Sequence, residues 1–251
     1  MYTLVLRFSL PRWYDLNSTC HAHGWKNLAP FTWEPEEEVL SWACLVSGES
    51  IDLRAIQVGD CLKAVITSRR KLTRCEVDWT RHSIERSLAL RVDTDEMLGI
   101  ARKVGKPFEK LIRAGAGRML RGASLWEDAA KTLFTTNCSW VLTRRMCQAL
   151  CSERVLPAAP SGVTPFPPPE TLWDLTEARL ASRAPVGYRA RYLRPLAGRF
   201  IEDPSLGGIE GGGIDPETAL ERVKQLKGFG QYASAHVLVL TGHFETIPID
   251  S

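Results

Sequence analysis

The stretch LKGFGQYASAHVLVLTGHFETIPIDS, residues 226–251, sets two glycines around one aromatic, follows them with a helix-like run, and then reaches Pro248, Ile249 and Asp250. Ahead of it, PETALERVKQL places Leu220, Val223 and Leu226 on one side of an amphipathic helix. KGFG breaks that helix, and QYASAHVLVL starts another with Ala233, Ser234 and Ala235 near its beginning. Gly228 and Gly230 open backbone angles that a side chain would forbid, and the small residues let two helices approach closely. Such a turn leaves amide N–H groups beside a helix N-terminus, where donors are unpaired and the partial charge is positive. It can therefore hold a phosphate and grip a nucleic-acid backbone without reading sequence. A simple αα-hairpin with a glycine C-cap and no ligand fits the same residues.

Working back toward the N-terminus, helices dominate from about Pro107 onward. Ser124 with Glu127 three residues later is a capping box that marks a helix start, and VLTRRMCQALC continues in helical period. PAAPSGVTPFPPPE (157–170) reads as a long surface connection, because its prolines remove donors and fix φ. PPETLWDLTEARLA is a helix entered through proline, and GYRARYLRPLAGRF is another short helical stretch. DPSLGGIEGGGID (203–215) reads as a glycine loop, ended by Asp215 with Pro216 at the next helix start.

The first hundred residues are mixed. YTLVLRF (2–8) alternates apolar and polar positions as a half-buried strand does. Residues 38–46, 51–58, 61–68 and RCEVDW (74–79) read as further strands, with turns at Gly48-Glu49 and Gly59-Asp60. After Asp78 the spacing turns helical, with Ile84, Leu88 and Leu90, then Met97, Leu98 and Ile100, each lining one helix face. The expected layout is an α+β N-terminal domain over 1–110 followed by an all-α domain over 111–251.

The 251 residues are 44% hydrophobic and 24% charged, the profile of a globular protein, with no apolar run long enough for a bilayer. MYTLVLRFSLPRWYDL lacks the features of a signal peptide, so a cytoplasmic, nucleoid-associated protein is expected. Seven scattered cysteines argue against a disulfide framework. Cys147 and Cys151, one helical turn apart, have no partner pair for a metal and read as buried thiols. A net charge of +3 tolerates a nucleic-acid partner without arguing for one. Of the small basic groups, only YRARYLR (188–194) interleaves aromatics with arginines, a pattern that suits a phosphate backbone.

Taken together, Leu226, Gly228, Gly230, Ala233, Ala235, Pro248 and Asp250 resemble the signature of the helix-hairpin-helix DNA glycosylases of base-excision repair. GAGRMLRGASLWEDAAKTLFTTNCSW, FPPPETLWDL and GYRARYLRPLA resemble three further segments of that family, so the likeness covers 115–251 well and the N-terminal part loosely. The resemblance implies an all-α helix-hairpin-helix glycosylase domain after the α+β one. It implies duplex DNA with a damaged base as partner, a monomer, and no cofactor or metal. Gly228, Phe229, Gly230 and Gln231 would bind the DNA backbone. Asp250 would be the catalytic carboxylate, stabilising the positive charge that develops on the sugar. Bifunctional members carry a lysine two residues after the second hairpin glycine. This chain has Tyr232 there, and Lys227 lies before the hairpin, so hydrolysis by water is expected instead of a Schiff base. An aromatic at that position resembles the branch that excises 3-methyladenine. Asn137 in TTNCSW and Tyr188 in GYRARY lie where the 8-oxoguanine branch fills the gap left by a flipped base. Trp126, Trp140 and Trp173 are core or pocket aromatics, and Trp140 is a pocket candidate. Family members continue past the aspartate with further helices, so the chain is expected to be C-terminally incomplete. An oxidised-purine glycosylase, a non-catalytic duplex-binding protein and a helical protein with no nucleic-acid role stand as the alternatives.

Overall fold

The computed structural model describes residues 1–152, 155–184 and 186–249, with the backbone alone at 211 and 212. Two compact units emerge: 1–123 with 157–165, and 124–156 with 166–251.

The first unit holds β1 (Tyr2–Ser9), α1 (Leu16–His21), β2 (Thr32–Glu34), β3 (Val39–Val46), β4 (Glu49–Val58), β5 (Cys61–Ser68), α2 (Arg74–Ser87), α3 (Asp95–Val104) and α4 (Lys106–Arg113). The strands form one antiparallel sheet in the order β1-β5-β4-β3-β2. Register aligns the apolar positions: Leu6 faces Ala64, Phe8 faces Leu62, Leu53 faces Ile66, and Trp42 faces Leu53. All of these are buried. A slip of one residue would turn the whole set outward, so the alternation fixes the pairing.

Several expectations change here. RCEVDW is the start of α2, not a strand. Thr73 accepts a hydrogen bond from the Glu76 backbone while the Glu76 carboxylate accepts from the Thr73 N–H, and that capping box outweighs the strand-like alternation. The β3–β4 turn is Ser47-Gly48, both at positive φ, and Glu49 already belongs to β4. Ile84, Leu88 and Leu98 are buried as the spacing predicts, but Ile100 points to solvent. The 157–165 segment is more than a surface connection: Pro157, Ser161 and Gly162 are exposed, but the stretch is pinned down along its length. Ser50 donates to the Pro157 carbonyl, Arg69 to the Ala158 carbonyl, and the Ser161 N–H to Asp52, which ties the proline-rich stretch onto the sheet. Ala158, Ala159 and Thr164 are buried as a result.

Among its described residues the second unit has helices and no strand: α5 (Leu125–Thr135), α6 (Trp140–Leu150), α7 (Pro169–Trp173), α8 (Glu177–Arg183), α9 (Ala190–Glu202), α10 (Pro216–Lys224) and α11 (Gln231–Thr241). Short 3-10 turns occupy Gly187–Arg189 and Pro204–Gly212, so the expected glycine loop at 203–215 is largely helical. The expected helix through PPETLWDLTEARLA is two, divided before Thr176, whose side chain caps α8. α5 is the centre. It packs against α6, α9 and α11, and its residues 125–134 are all buried. Ser124 caps it through the Glu127 N–H. Cys147 and Cys151 are buried on or just after α6, and burial pushes the Cys147 thiol up to about 12. Trp126 is a core residue whose indole donates to the Pro167 carbonyl at 2.8 Å.

Candidate nucleic-acid interface

The hairpin between α10 and α11 builds the site. Asp215 caps α10 through the Thr218 N–H, and α10 ends at Lys224. Gly228 then takes φ +96, a left-handed conformation. A Cβ at that position would also lie 2.9 Å from Leu133 Cδ1 and 3.4 Å from Tyr192 Cγ. Gly230 differs from the sequence expectation. Its φ of −89 is open to any residue, and a Cβ there would meet nothing within 4 Å. Gly230 instead serves as the N-cap of α11 without a side-chain cap, so the helix begins with its first N–H groups unclaimed. Among the described residues, no bond is made to the N–H of Gly228, Gly230, Gln231, Tyr232 or Ala233. Phe229 is the exception within the hairpin. Its ring is buried and its N–H donates to the Leu226 carbonyl at 3.1 Å, so it anchors the turn instead of offering a donor. Ala233, Ser234 and Ala235 are buried where α11 meets α10 and α5.

Gly228→Ala is therefore expected to destabilise the protein by about 1–3 kcal/mol, from left-handed strain and the clash with Leu133. Gly230→Ala is expected to stay within about 0.5 kcal/mol of the parent. Urea unfolding of the two variants checks the difference.

A cleft of about 620 Å³ opens in front of this turn. Leu133 and residues 135–138 form one wall, Tyr188 and Tyr192 another, and Gly228, Gly230, Gln231, Tyr232 and Ala233 a third, with Ile249 completing it. Asn137 is exposed, in the turn after α5, at a φ of +45 that asparagine tolerates better than most residues. The buried Arg189 fixes that turn by donating to the Thr136 carbonyl and, at 3.2 Å, to the Asn137 carbonyl. Tyr188 is 50% exposed and meets Tyr192 edge-on, with ring centroids 6.2 Å apart. Tyr232 lies stacked on His236, 6.0 Å between centroids and 12° between planes. Trp140 is the first residue of α6, 39% exposed, and does not line the cleft. Trp173 packs on Gly198 and under Arg194, also away from it. Asp250 lies outside the described residues; Ile249, just before it in the chain, lines the cleft.

Sequence reading names Arg189 and Tyr192 only as members of YRARYLR, without individual roles, and misses His236. Tyr188 with Tyr192, and Tyr232 with His236, are each four residues apart, and that aromatic spacing was the available signal.

Burial pushes the His236 pKa down to about 4, so the ring is neutral at pH 7. The depressed value has a definite sign for stability. His236 adds stability above its ordinary pKa of about 6.5 and loses it as pH falls toward 4. Between pH 7 and 4.5 this part-buried ring is expected to contribute about 1–2 kcal/mol of pH dependence. His236→Gln should remove that contribution, as read from denaturant titrations at the two pH values.

No family model and no curated protein matches the sequence. Solved structures do. A 3-methyladenine DNA-glycosylase from Archaeoglobus fulgidus superposes with a TM-score of 0.72 at 17% identity, covering 97% of this chain and 81% of that one. MBOgg1, in complex with a low-affinity DNA ligand, gives 0.69 at 18% identity, over 99% and 80%. The Clostridium acetobutylicum 8-oxoguanine glycosylase/lyase, in complex with double-stranded DNA containing cytosine opposite 8-oxoG, gives 0.69 at 13% identity, over 99% and 82%. A sheet of five antiparallel strands, a helical unit centred on α5 and a glycine hairpin between α10 and α11 thus make up a chain with the fold of the helix-hairpin-helix DNA glycosylases.

Proposed function

We propose that the chain is a monofunctional DNA glycosylase that hydrolyses the N-glycosidic bond of a flipped, alkylated purine. The observation that carries this reading is the cleft itself. Residues 135–138, Tyr188, Tyr232 and the donors of the glycine hairpin converge on it, and it closes at Ile249.

Each part has a task. The N–H groups of Gly228, Gly230 and Gln231 hold the sugar–phosphate backbone. Asn137 and Tyr188, both exposed at the cleft, fill the space that an extruded nucleotide leaves in the duplex. Tyr232, backed by the neutral His236, is an electron-rich face for a cationic alkylated base. Such a base is already a good leaving group, so the protein needs only to place it and to stabilise the charge on the sugar. Asp250 supplies that stabilisation and orients the attacking water. Tyr232 has no amine with which to form an imine at C1′, which favours hydrolysis over strand cleavage.

Incubation of the protein with duplexes carrying either N-methylated purines or 8-oxoguanine tests the assignment. Release of the methylated base, leaving abasic sites that break only on alkaline treatment, is the expected result. Asn137 and Tyr188 also support an oxidised-purine enzyme, and release of 8-oxoguanine alone would decide for that reading. Salt-dependent DNA binding with no base released would leave only a duplex-binding protein.

A further inference from the structure

The geometry points to a second phosphate subsite on the rim of the cleft, formed by Arg191 and Lys227 and organised by the ring of Tyr192. This rests on the reading of the cleft as a DNA site and adds residues to it. Tyr192 is on α9, and its ring packs directly against the hairpin, since a Cβ on Gly228 would fall 3.4 Å from Tyr192 Cγ. Two cations use that ring. The Arg191 guanidinium lies 4.8 Å from its centroid and donates to the Tyr192 hydroxyl at 2.9 Å. The Lys227 ammonium lies 5.9 Å from the same centroid. Arg191 also reaches the Tyr188 ring, at 5.7 Å.

Neither cation has a carboxylate partner among the described residues, although both are exposed. Their neighbours show the ordinary alternative: Lys224 pairs with Glu221, and Arg199 with Asp203. Two long cationic side chains lose conformational freedom when they settle on one ring. An exposed cation–π contact offsets that only weakly, so the pair gains most when an anion bridges it. The ring sets both charges beside the hairpin donors, in reach of a neighbouring phosphodiester on the strand that those donors hold. The ligand class is therefore a nucleic-acid phosphate, held by charge instead of by base identity.

The test is the salt dependence of binding to an undamaged fluorescent DNA duplex, followed by anisotropy from 50 to 300 mM KCl for the full chain. Each lost phosphate contact lowers the slope of log K against log [salt] by about 0.9. Lys227→Ala and Arg191→Ala are each expected to lower the slope by about that amount and to weaken binding several-fold at about 100 mM salt. Arg191→Lys should keep the slope, because the charge is kept. Arg199→Ala, whose charge is already paired with Asp203, should leave it unchanged. Slopes for Lys227→Ala and Arg191→Ala equal to that of the parent would overturn the subsite while leaving the DNA reading in place. A parent that shows no salt-dependent binding would remove the DNA reading itself.

Discussion

Replacing Asp250 by asparagine is expected to lower base release from alkylated duplex by a factor of about 10²–10³ or more, with duplex affinity nearly unchanged. The bond to the base breaks with positive charge building on the sugar ring, and a carboxylate beside C1′ stabilises that charge far better than an amide does. The amide has the same shape and still accepts one hydrogen bond, so substrate binding survives while the rate falls. Interactions made only in the transition state behave in this way: kcat falls and KM holds. Ile249 on the wall of the cleft is what ties this prediction to the structure. Single-turnover release of methylated base, with anisotropy for binding, measures both quantities. An Asp250→Asn protein that releases base at the parental rate would mean that another group carries the charge, and the proposed mechanism would fail.

How much of this could be read from the sequence depends on how local each cause is. The strands at 2–8, 38–46, 51–58 and 61–68 show in the pattern because one buried face imposes a period of two. The α10–hairpin–α11 element shows because Gly228 and the Asp215 cap act within a few residues. RCEVDW misleads because its alternation is real while its fate is decided by Thr73, just outside the window. The proline-rich 157–165 stretch cannot be placed from its own residues. Its partners Ser50, Asp52 and Arg69 are 89 to 109 positions away in the chain. Within the cleft, Asn137 and Tyr188 came from resemblance, and the structure brings them to one cavity. Phe229 and Gly230 keep their place in the motif, but Phe229 anchors the turn through its own N–H and Gly230 is at the same time the cap of α11. YRARYLR divides three ways: Arg189 is buried in support of residues 136 and 137, Arg191 sits on Tyr192, and Arg194 lies over Trp173.

The same locality explains the largest stability effect expected in the second unit. Glu127 and Lys131 are four residues apart on α5, the spacing that brings two side chains together on one helix face. In the structure Lys131 is fully buried, Glu127 is 4% exposed, and the two meet at 2.5 Å. Burial works against the lysine charge, but the Glu127 carboxylate together with Cys147 and Cys151 outweighs that and holds the amine protonated above its ordinary range. Phe166 adds its ring face 5.7 Å away. Removing one member takes the opposite charge at 2.5 Å away from the other, on the helix that α6, α9 and α11 all pack against. Lys131→Met is thus expected to destabilise the protein by about 3–5 kcal/mol, because the buried Glu127 carboxylate loses the ammonium held 2.5 Å from it. Glu127→Gln should cost less than that but still exceed about 1 kcal/mol, because the ammonium is left with a neutral acceptor. The double variant discriminates. With both charges gone and the volumes kept, it should be more stable than Lys131→Met alone, giving a coupling energy of about 2 kcal/mol or more in a double-mutant cycle. Urea unfolding of the four proteins supplies the cycle. Single costs that merely add would show that the pair does not hold the centre of this unit together, and that packing around α5 does so without it.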